Sequence, residues 1–174
     1  MELRPNKKTK FMAKMAPVLL AEDEQNDILL LQRAFAVAQI RNPLVSVRNG
    51  QQAIWYLEGH APFTDRVQNP DPCLLLLDLK MHLVNGFEVL EWLQHMPELR
   101  KTLPVVILTS SDQEEDIRRA FELGASDYLL KPTDLNALVV MTSELKRSWL
   151  DPAGERLHEF KRKTHAATPL SRPA

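Results

Sequence analysis

The sequence predicts an α/β fold, a five-stranded parallel sheet with flanking helices. Two observations favour this class. Five short apolar runs alternate along the chain with segments whose apolar residues recur at helical spacing, a pattern typical of repeated strand–helix units. The run at 73–77 is also unbroken by polar residues, which predicts a central strand buried on both faces.

The first strand–helix unit begins with the run PVLLA at 17–21. Its leading proline falls at the first position of the predicted strand, where a missing N–H does least harm. Residues 26–37 follow, with Ile28, Leu31 and Phe35 on one helical face. We therefore predict a strand and an amphipathic helix here.

The second unit is shorter and ends in a long loop. Residues 43–47 predict a strand that is closed by Asn49 and Gly50, and a short helix follows. Residues 59–72 contain three prolines and have no periodicity, so we expect a surface loop.

The third unit contains the central strand. Residues 73–77 form this strand, and a helix starting at Gly86 directs Leu90 and Leu93 inward. Residues 104–108 predict the fourth strand, which again begins with proline.

The last two units complete the sheet. Ser111 and Glu114 have the spacing of a capping box for the fourth predicted helix, and Gly124 suits its C-terminal end. Residues 126–130 predict the fifth strand, and the fifth predicted helix runs from about 134 to 150.

Composition and charge exclude several classes of protein. The single cysteine, Cys73, permits no disulfide within the chain, and there is no Cys/His cluster for a structural zinc. No apolar run approaches the ~18 residues of a membrane span. Residues 17–149 hold 12 Lys and Arg against 19 Asp and Glu, whereas both ends are basic. An acidic body suits a cation site better than a nucleic-acid surface, so we expect no nucleic-acid partner. From the single cysteine and the lack of a long apolar run we expect a cytoplasmic protein that does not bind a membrane.

Chemically useful side chains follow four of the five predicted strands. Glu22 and Asp23 follow the first strand, Asp78 the third, Thr109 the fourth and Lys131 the fifth. Functional groups of open parallel sheets gather at the carboxyl ends of the strands. Carboxylates that lie close together raise one another's pKa or bind a cation, and a site made only of oxygen ligands suits Mg²⁺ or Mn²⁺. With a hydroxyl and an ammonium nearby, the set is equipped for phosphoryl transfer to a carboxylate.

Four sequence segments carry a family resemblance. Residues 18–23, 75–81 with the following Gly86, 104–110 and 124–132 occur in this order at suitable spacing. Together they resemble the receiver domain of two-component response regulators. The resemblance implies a flavodoxin-like, doubly wound fold with strand order 2-1-3-4-5.

The resemblance also implies a role for each residue of the site. Asp78 would accept the phosphoryl group and contact Mg²⁺ or Mn²⁺. Asp23 would bind the metal directly, Glu22 largely through a water, and Lys80 through its backbone carbonyl. Thr109 and Lys131 would bind the phosphoryl group, and Thr109 with Tyr128 would form an aromatic switch. The resemblance also implies a cis peptide bond before Pro132.

Implied partners and boundaries follow from the same resemblance. The phosphoryl donor would be a sensor histidine kinase or a phosphotransfer protein, and a similarity to the receivers of bacterial phytochrome kinases suggests light as the input. A homodimer through the fourth helix, fifth strand and fifth helix is expected. The expected domains are a basic extension at 1–16, the receiver at 17–150 and a tail at 151–174, which leaves no room for an output domain.

Two alternatives remain open from the sequence. A haloacid-dehalogenase-type hydrolase also forms an aspartyl phosphate, but it expects an acid two residues after the nucleophile, where this chain has Lys80. A pseudo-receiver that is never phosphorylated usually lacks a pocket residue, and none is missing here. One departure from the family is His82 in place of the usual proline, and we expect it to be a surface-loop histidine.

Overall fold

The computed structural model describes residues 15–151 and contains the predicted alternation of strands and helices. The strands are Val18–Ala21 (β1), Leu44–Val47 (β2), Leu74–Leu77 (β3), Val105–Thr109 (β4) and Asp127–Leu130 (β5). The helices are Gln25–Val37 (α1), Gly50–Glu58 (α2), Gly86–Gln94 (α3), Pro97–Thr102 (α4), Glu114–Glu122 (α5) and Leu135–Leu145 (α6), and a π-helical turn, Lys146–Leu150, continues α6. Most of the predicted basic extension and tail, 1–14 and 152–174, lies outside the described residues.

The five strands form one parallel sheet in the order β2-β1-β3-β4-β5, which confirms the predicted fold class and strand order. The last residue of β1, Ala21, pairs in register with Leu77 of β3, and Leu77 pairs with Ile107 of β4. The carboxyl ends of the three central strands therefore lie at one edge of the sheet. Within residues 15–151, no helix is both long and apolar enough to cross a membrane.

The core has two layers, one on each face of the sheet, because successive side chains of a strand point to opposite faces. One layer receives Leu75 and Leu77, and the other receives Leu74 and Leu76. The first is covered by buried residues of α2, α3 and α5, and the second by α1 and α6. All four β3 residues are almost inaccessible to solvent, as the unbroken apolar run predicts.

The loop between β3 and α3 is held close to the sheet by Gly86. A Cβ atom at this position would lie 2.3 Å from the carbonyl oxygen of Asp78 and 2.8 Å from the Cα of Leu79. The backbone N–H of Gly86 donates to the carbonyl of Leu79 over 3.2 Å. Because residue 86 is glycine, the first turn of α3 can pack against the backbone of Asp78 and Leu79.

Two details of the predicted elements are wrong. The sequence predicts no helix at Pro97–Thr102, where the structure has the short helix α4; its sequence PELRKT is polar, and the helix buries no residue. The helices predicted as fourth and fifth are therefore α5 and α6. The capping box is also absent: α5 begins at Glu114 after Gln113, and the Ser111 hydroxyl instead donates to Asp116 Oδ2 over 2.5 Å. Ser111 lies too far before the helix to cap it.

Candidate functional site

The side chains predicted to form the site meet at the carboxyl edge of the sheet. Glu22 and Asp23 directly follow β1, and Asp78 follows β3, its neighbour in the sheet. Thr109 is the last residue of β4, and Lys131 follows β5. The backbone N–H of Lys131 donates to the Thr109 carbonyl over 2.9 Å, which extends the ladder of β4 and β5 by one bond. Strand order and register thus assemble the site.

The Lys131 ammonium is the centre of the site. Its Nζ lies 2.5 Å from Glu22 Oε2 and 2.8 Å from Asp78 Oδ2. A third carboxylate, that of Asp27 in the first turn of α1, lies 3.0 Å away. Only 15% of the Lys131 side chain is exposed, so these contacts lie largely outside bulk solvent and are screened less than surface pairs.

Three carboxylates form a compact acidic cluster beside this lysine. Glu22, Asp23 and Asp78 each offer an oxygen, and the three atoms lie within 4.8 Å of one another. Glu22 and Asp78 are buried, and Asp23 is partly exposed. Hard oxygen ligands at this spacing fit Mg²⁺ or Mn²⁺, which take one or two carboxylates and keep several waters.

The pKa values of two groups reflect this crowding. Burial raises the pKa of the Glu22 carboxyl above its usual 4.5, and the hydrogen bond from Lys131 offsets the effect only in part. Burial alone would lower the pKa of Lys131, but its bonds to Asp78 and Glu22 outweigh burial and raise it above 10.5. The lysine therefore stays charged, whereas a proton or a cation bound to the Glu22 carboxylate would be stabilising.

The phosphoryl acceptor predicted from the sequence is held firmly. Asp78 is 5% exposed, and its Oδ1 accepts a hydrogen bond from the backbone N–H of Lys80 over 3.2 Å. Its other oxygen faces Lys131. The Lys80 carbonyl as a metal ligand stays a prediction.

Thr109 and Tyr128 are linked through one loop. Thr109 is fully buried, and its Oγ1 accepts from the backbone N–H of Ser111 over 3.4 Å. The hydroxyl of Tyr128 donates to the carbonyl of the same Ser111 over 2.8 Å. Both predicted switch residues therefore contact the backbone of Ser111 in the β4–α5 loop.

The predicted cis peptide bond before Pro132 is wrong. Among the described residues, the cis bond is Ala61–Pro62. The Lys131 ammonium nevertheless points into the site, because the Lys131 backbone continues the hydrogen-bond pattern of the sheet beside Thr109.

Two residues at the site were missed or misjudged from the sequence. Asp27 has no predicted role beyond lying in the helix at 26–37, although an acid in the first turn of a helix that starts at the site is a usable signal. His82 is 88% exposed, as expected of a loop residue, but its ring Nδ1 lies 2.5 Å from Asp23 Oδ2. It is therefore part of the site.

Comparison with protein-family models places residues 18–143 in the response regulator receiver domain. Among curated proteins, the response regulator Rcp1 of Synechocystis is 33% identical over 134 residues, which cover 77% of this chain and 88% of Rcp1. A solved structure of Rcp1 contains Mn²⁺; it shares 32% identity with a TM-score of 0.70, over 79% of this chain and 96% of that one.

Two further solved structures are similar. The phosphorylated cyanobacterial phytochrome response regulator RcpA is 31% identical, with a TM-score of 0.71. A response regulator in red light signalling of R. palustris is 34% identical, with a TM-score of 0.75. Each alignment covers 79% of this chain and 95% of the other. The likeness extends over nearly the whole length of each relative.

Proposed function

The chain belongs to the response regulator receiver domain family and acts in two-component signalling; we propose that it accepts a phosphoryl group on Asp78 from a sensor histidine kinase or a phosphotransfer protein. The observation that carries this proposal is the position of Asp78. It is a buried carboxylate that shares an acidic cluster with Glu22 and Asp23 and is paired with Lys131 over 2.8 Å.

Asp78 is the nucleophile in the proposed reaction. One of its carboxylate oxygens forms a bond to phosphorus as the bond between phosphorus and the donor's histidine nitrogen breaks, and the electron pair remains on that nitrogen. Lys131 binds a phosphoryl oxygen, since its ammonium already lies against the attacking carboxylate. The buried Thr109 hydroxyl donates a hydrogen bond to another phosphoryl oxygen.

A divalent cation belongs to this proposal. Glu22, Asp23 and Asp78, with the carbonyl of Lys80, would hold Mg²⁺ or Mn²⁺, and the spacing of the three carboxylates supports this assignment. When bound, the ion neutralises negative charge on the phosphoryl oxygens. Burial raises the pKa of the Glu22 carboxyl, and a bound cation would offset this effect because it favours the ionised carboxylate.

The proposed output is a movement of the β4–α5 loop. Thr109 moves toward the phosphoryl group and Tyr128 turns into the space it leaves, which remodels the surface of α5, β5 and α6. The hydrogen bond from Tyr128 to the Ser111 carbonyl supports this coupling. If Tyr128 keeps one rotamer in matched structures with and without a phosphoryl mimic, the switch is wrong.

A homodimer through the α5, β5 and α6 surface is also proposed. Each of these elements carries an exposed apolar side chain: Phe121 is 46% exposed, Leu130 51% and Val140 59%. Contact with a second copy of the chain would remove these apolar side chains from water, which is favourable. Sedimentation should therefore detect dimers that Val140→Glu weakens, and a monomer at high concentration, phosphorylated or not, would count against the dimer.

The proposed kinase is of the phytochrome type. RcpA is described as a phytochrome response regulator and the R. palustris protein as a component of red light signalling, which supports the pairing. Phosphotransfer profiling against the sensor kinases of the source organism tests it. We expect a phytochrome-type kinase to transfer its phosphoryl group fastest, and preference for an unrelated kinase would contradict the pairing while leaving the receiver function intact.

A further inference from the structure

His82 contacts the acidic cluster from the loop after β3. Its ring Nδ1 lies 2.5 Å from Asp23 Oδ2, and its backbone N–H donates to the same oxygen over 3.1 Å. The His82 side chain is 88% exposed, whereas that of Asp23 is 12% exposed. The imidazole therefore approaches the carboxylate from the solvent side of the cluster.

This position is suitable for coordination of a cation. Asp23 shares its cluster with Glu22 and Asp78, and the oxygens that could bind an ion lie within 4.8 Å. Adjacent ligands of one octahedral ion lie about 3 Å apart, since its bonds are about 2.1 Å long. The His82 ring nitrogen is already within that distance of a carboxylate ligand. A cation bound between the two side chains would take the place of the proton in this short contact.

Nitrogen changes which ion such a site prefers. Carboxylates, carbonyls and water suit Mg²⁺, whereas imidazole suits later transition metals, and neutral imidazole is the commonest protein ligand for metals. We propose that His82 is a further ligand of the cation held by Glu22, Asp23 and Asp78, and that it shifts the selectivity of the site from Mg²⁺ toward ions such as Co²⁺ and Ni²⁺. This inference rests on the cation site of the proposed function.

The first test compares affinities for Mg²⁺ and Ni²⁺ in the untagged full chain by calorimetry. His82→Ala should weaken Ni²⁺ binding about tenfold and change Mg²⁺ binding by less than about twofold, because only Ni²⁺ gains much from imidazole. Alanine keeps the backbone N–H that donates to Asp23. The matched control is His95→Ala, which removes an exposed histidine whose ring contacts the Glu91 carbonyl and should change neither affinity.

The second test observes the ligand directly. Electron spin-echo spectra of bound Mn²⁺ detect a coordinated imidazole through its nitrogen modulation. We expect this modulation in the wild type and in His95→Ala, and its loss in both His82→Ala and His82→Gln. The glutamine variant guards against a loss caused by truncation of the side chain.

The outcomes separate the inference from the proposed function. Absence of modulation in the wild type, or its persistence in His82→Ala, overturns the role of His82 while the cation site stands. Tighter binding of both ions by His82→Ala also overturns it, because His82 would then compete with the cation. If the wild type binds neither ion, or if Asp23→Asn binds both unchanged, the cation site itself is wrong and the inference fails with it.

Discussion

Lys131 Nζ lies 2.8 Å from Asp78 Oδ2, so a buried ion pair joins the ends of β3 and β5 across the intervening strand β4. The two side chains are 15% and 7% exposed. β3 and β5 are not hydrogen-bonded neighbours in the sheet, and the ion pair therefore adds a link that backbone hydrogen bonds do not provide. The same two groups are the nucleophile and the phosphoryl-binding cation of the proposed function.

Removal of the lysine should destabilise the protein. Lys131→Met leaves Asp78 and the buried Glu22 without their cationic partner, which should lower the free energy of unfolding by about 3 kcal/mol in the absence of divalent ions. Urea denaturation with EDTA measures this loss. Saturating Mg²⁺ should restore part of it, because the cation binds the folded state.

Lys101→Met is the matched control. Lys101 pairs with Glu98 over 2.7 Å, but both side chains are mostly exposed, and exposed pairs contribute about 0–1 kcal/mol. Equal losses in the two variants would contradict the assignment of Lys131 as a buried pairing residue.

Asp27 should restrain phosphorylation. It competes with Asp78 for Lys131 over 3.0 Å and adds negative charge beside the site, which opposes an anionic donor. Asp27→Asn should accelerate phosphorylation by acetyl phosphate a fewfold, consistent with about 0.2–1 kcal/mol for a partly exposed pair. Single-turnover rates measure the effect, with the loop variant Asp65→Asn as control. An unchanged or slower rate in Asp27→Asn would show that Asp27 does not restrain Lys131.

Both tyrosines of the chain should resist ionisation. Burial raises the pKa of Tyr56, whose hydroxyl donates to the Pro70 carbonyl, and burial with nearby Asp116 raises that of Tyr128. The folded state then holds its phenolic protons more tightly than the unfolded chain, so stability falls as pH rises above about 10.

Absorbance near 295 nm tests this expectation. At pH 10 the folded protein should contain less tyrosinate than the urea-unfolded chain, and Tyr56→Phe and Tyr128→Phe should each remove one ionising group. Equal tyrosinate in the folded and unfolded protein would contradict it.

Gly86 should be intolerant of a side chain. A Cβ atom would meet the Asp78 carbonyl at 2.3 Å, and relief of this clash must move the backbone that carries the acceptor. Gly86→Ala should destabilise the protein by about 2 kcal/mol and slow phosphorylation. Gly59→Ala is the control. It introduces strain at φ 72° but places its Cβ in ordinary contact with Arg66, so phosphorylation should be unaffected. Wild-type phosphorylation kinetics in Gly86→Ala would contradict the close approach of Gly86 to the Asp78 backbone.

Most of the fold was predictable because its signals are local. The apolar runs of β1, β3 and β4 are short, uninterrupted and followed by polar groups, so both the strands and the functional edge could be placed. The alternation of strands and helices then required a parallel sheet. The strand order came from the family resemblance, since periodicity alone does not order strands.

The errors have two physical causes, one local and one that involves distant parts of the chain. The capping box failed because Ser111 lies two residues before the N-cap residue, Gln113, and binds Asp116 instead. Asp27 and His82 reach the site only through the folding of α1 and the β3–α3 loop against it. No spacing in the sequence relates His82 to Asp23, which lie 59 positions apart.

Phosphorylation of Asp78 is tested most directly by the mass of the intact protein after incubation with acetyl phosphate and Mg²⁺. We expect a gain of one phosphoryl group in the wild type, no gain without a divalent cation, and no gain in Asp78→Asn. A phosphoryl group that still appears on Asp78→Asn, or a wild type that never acquires one, would contradict Asp78 as the acceptor.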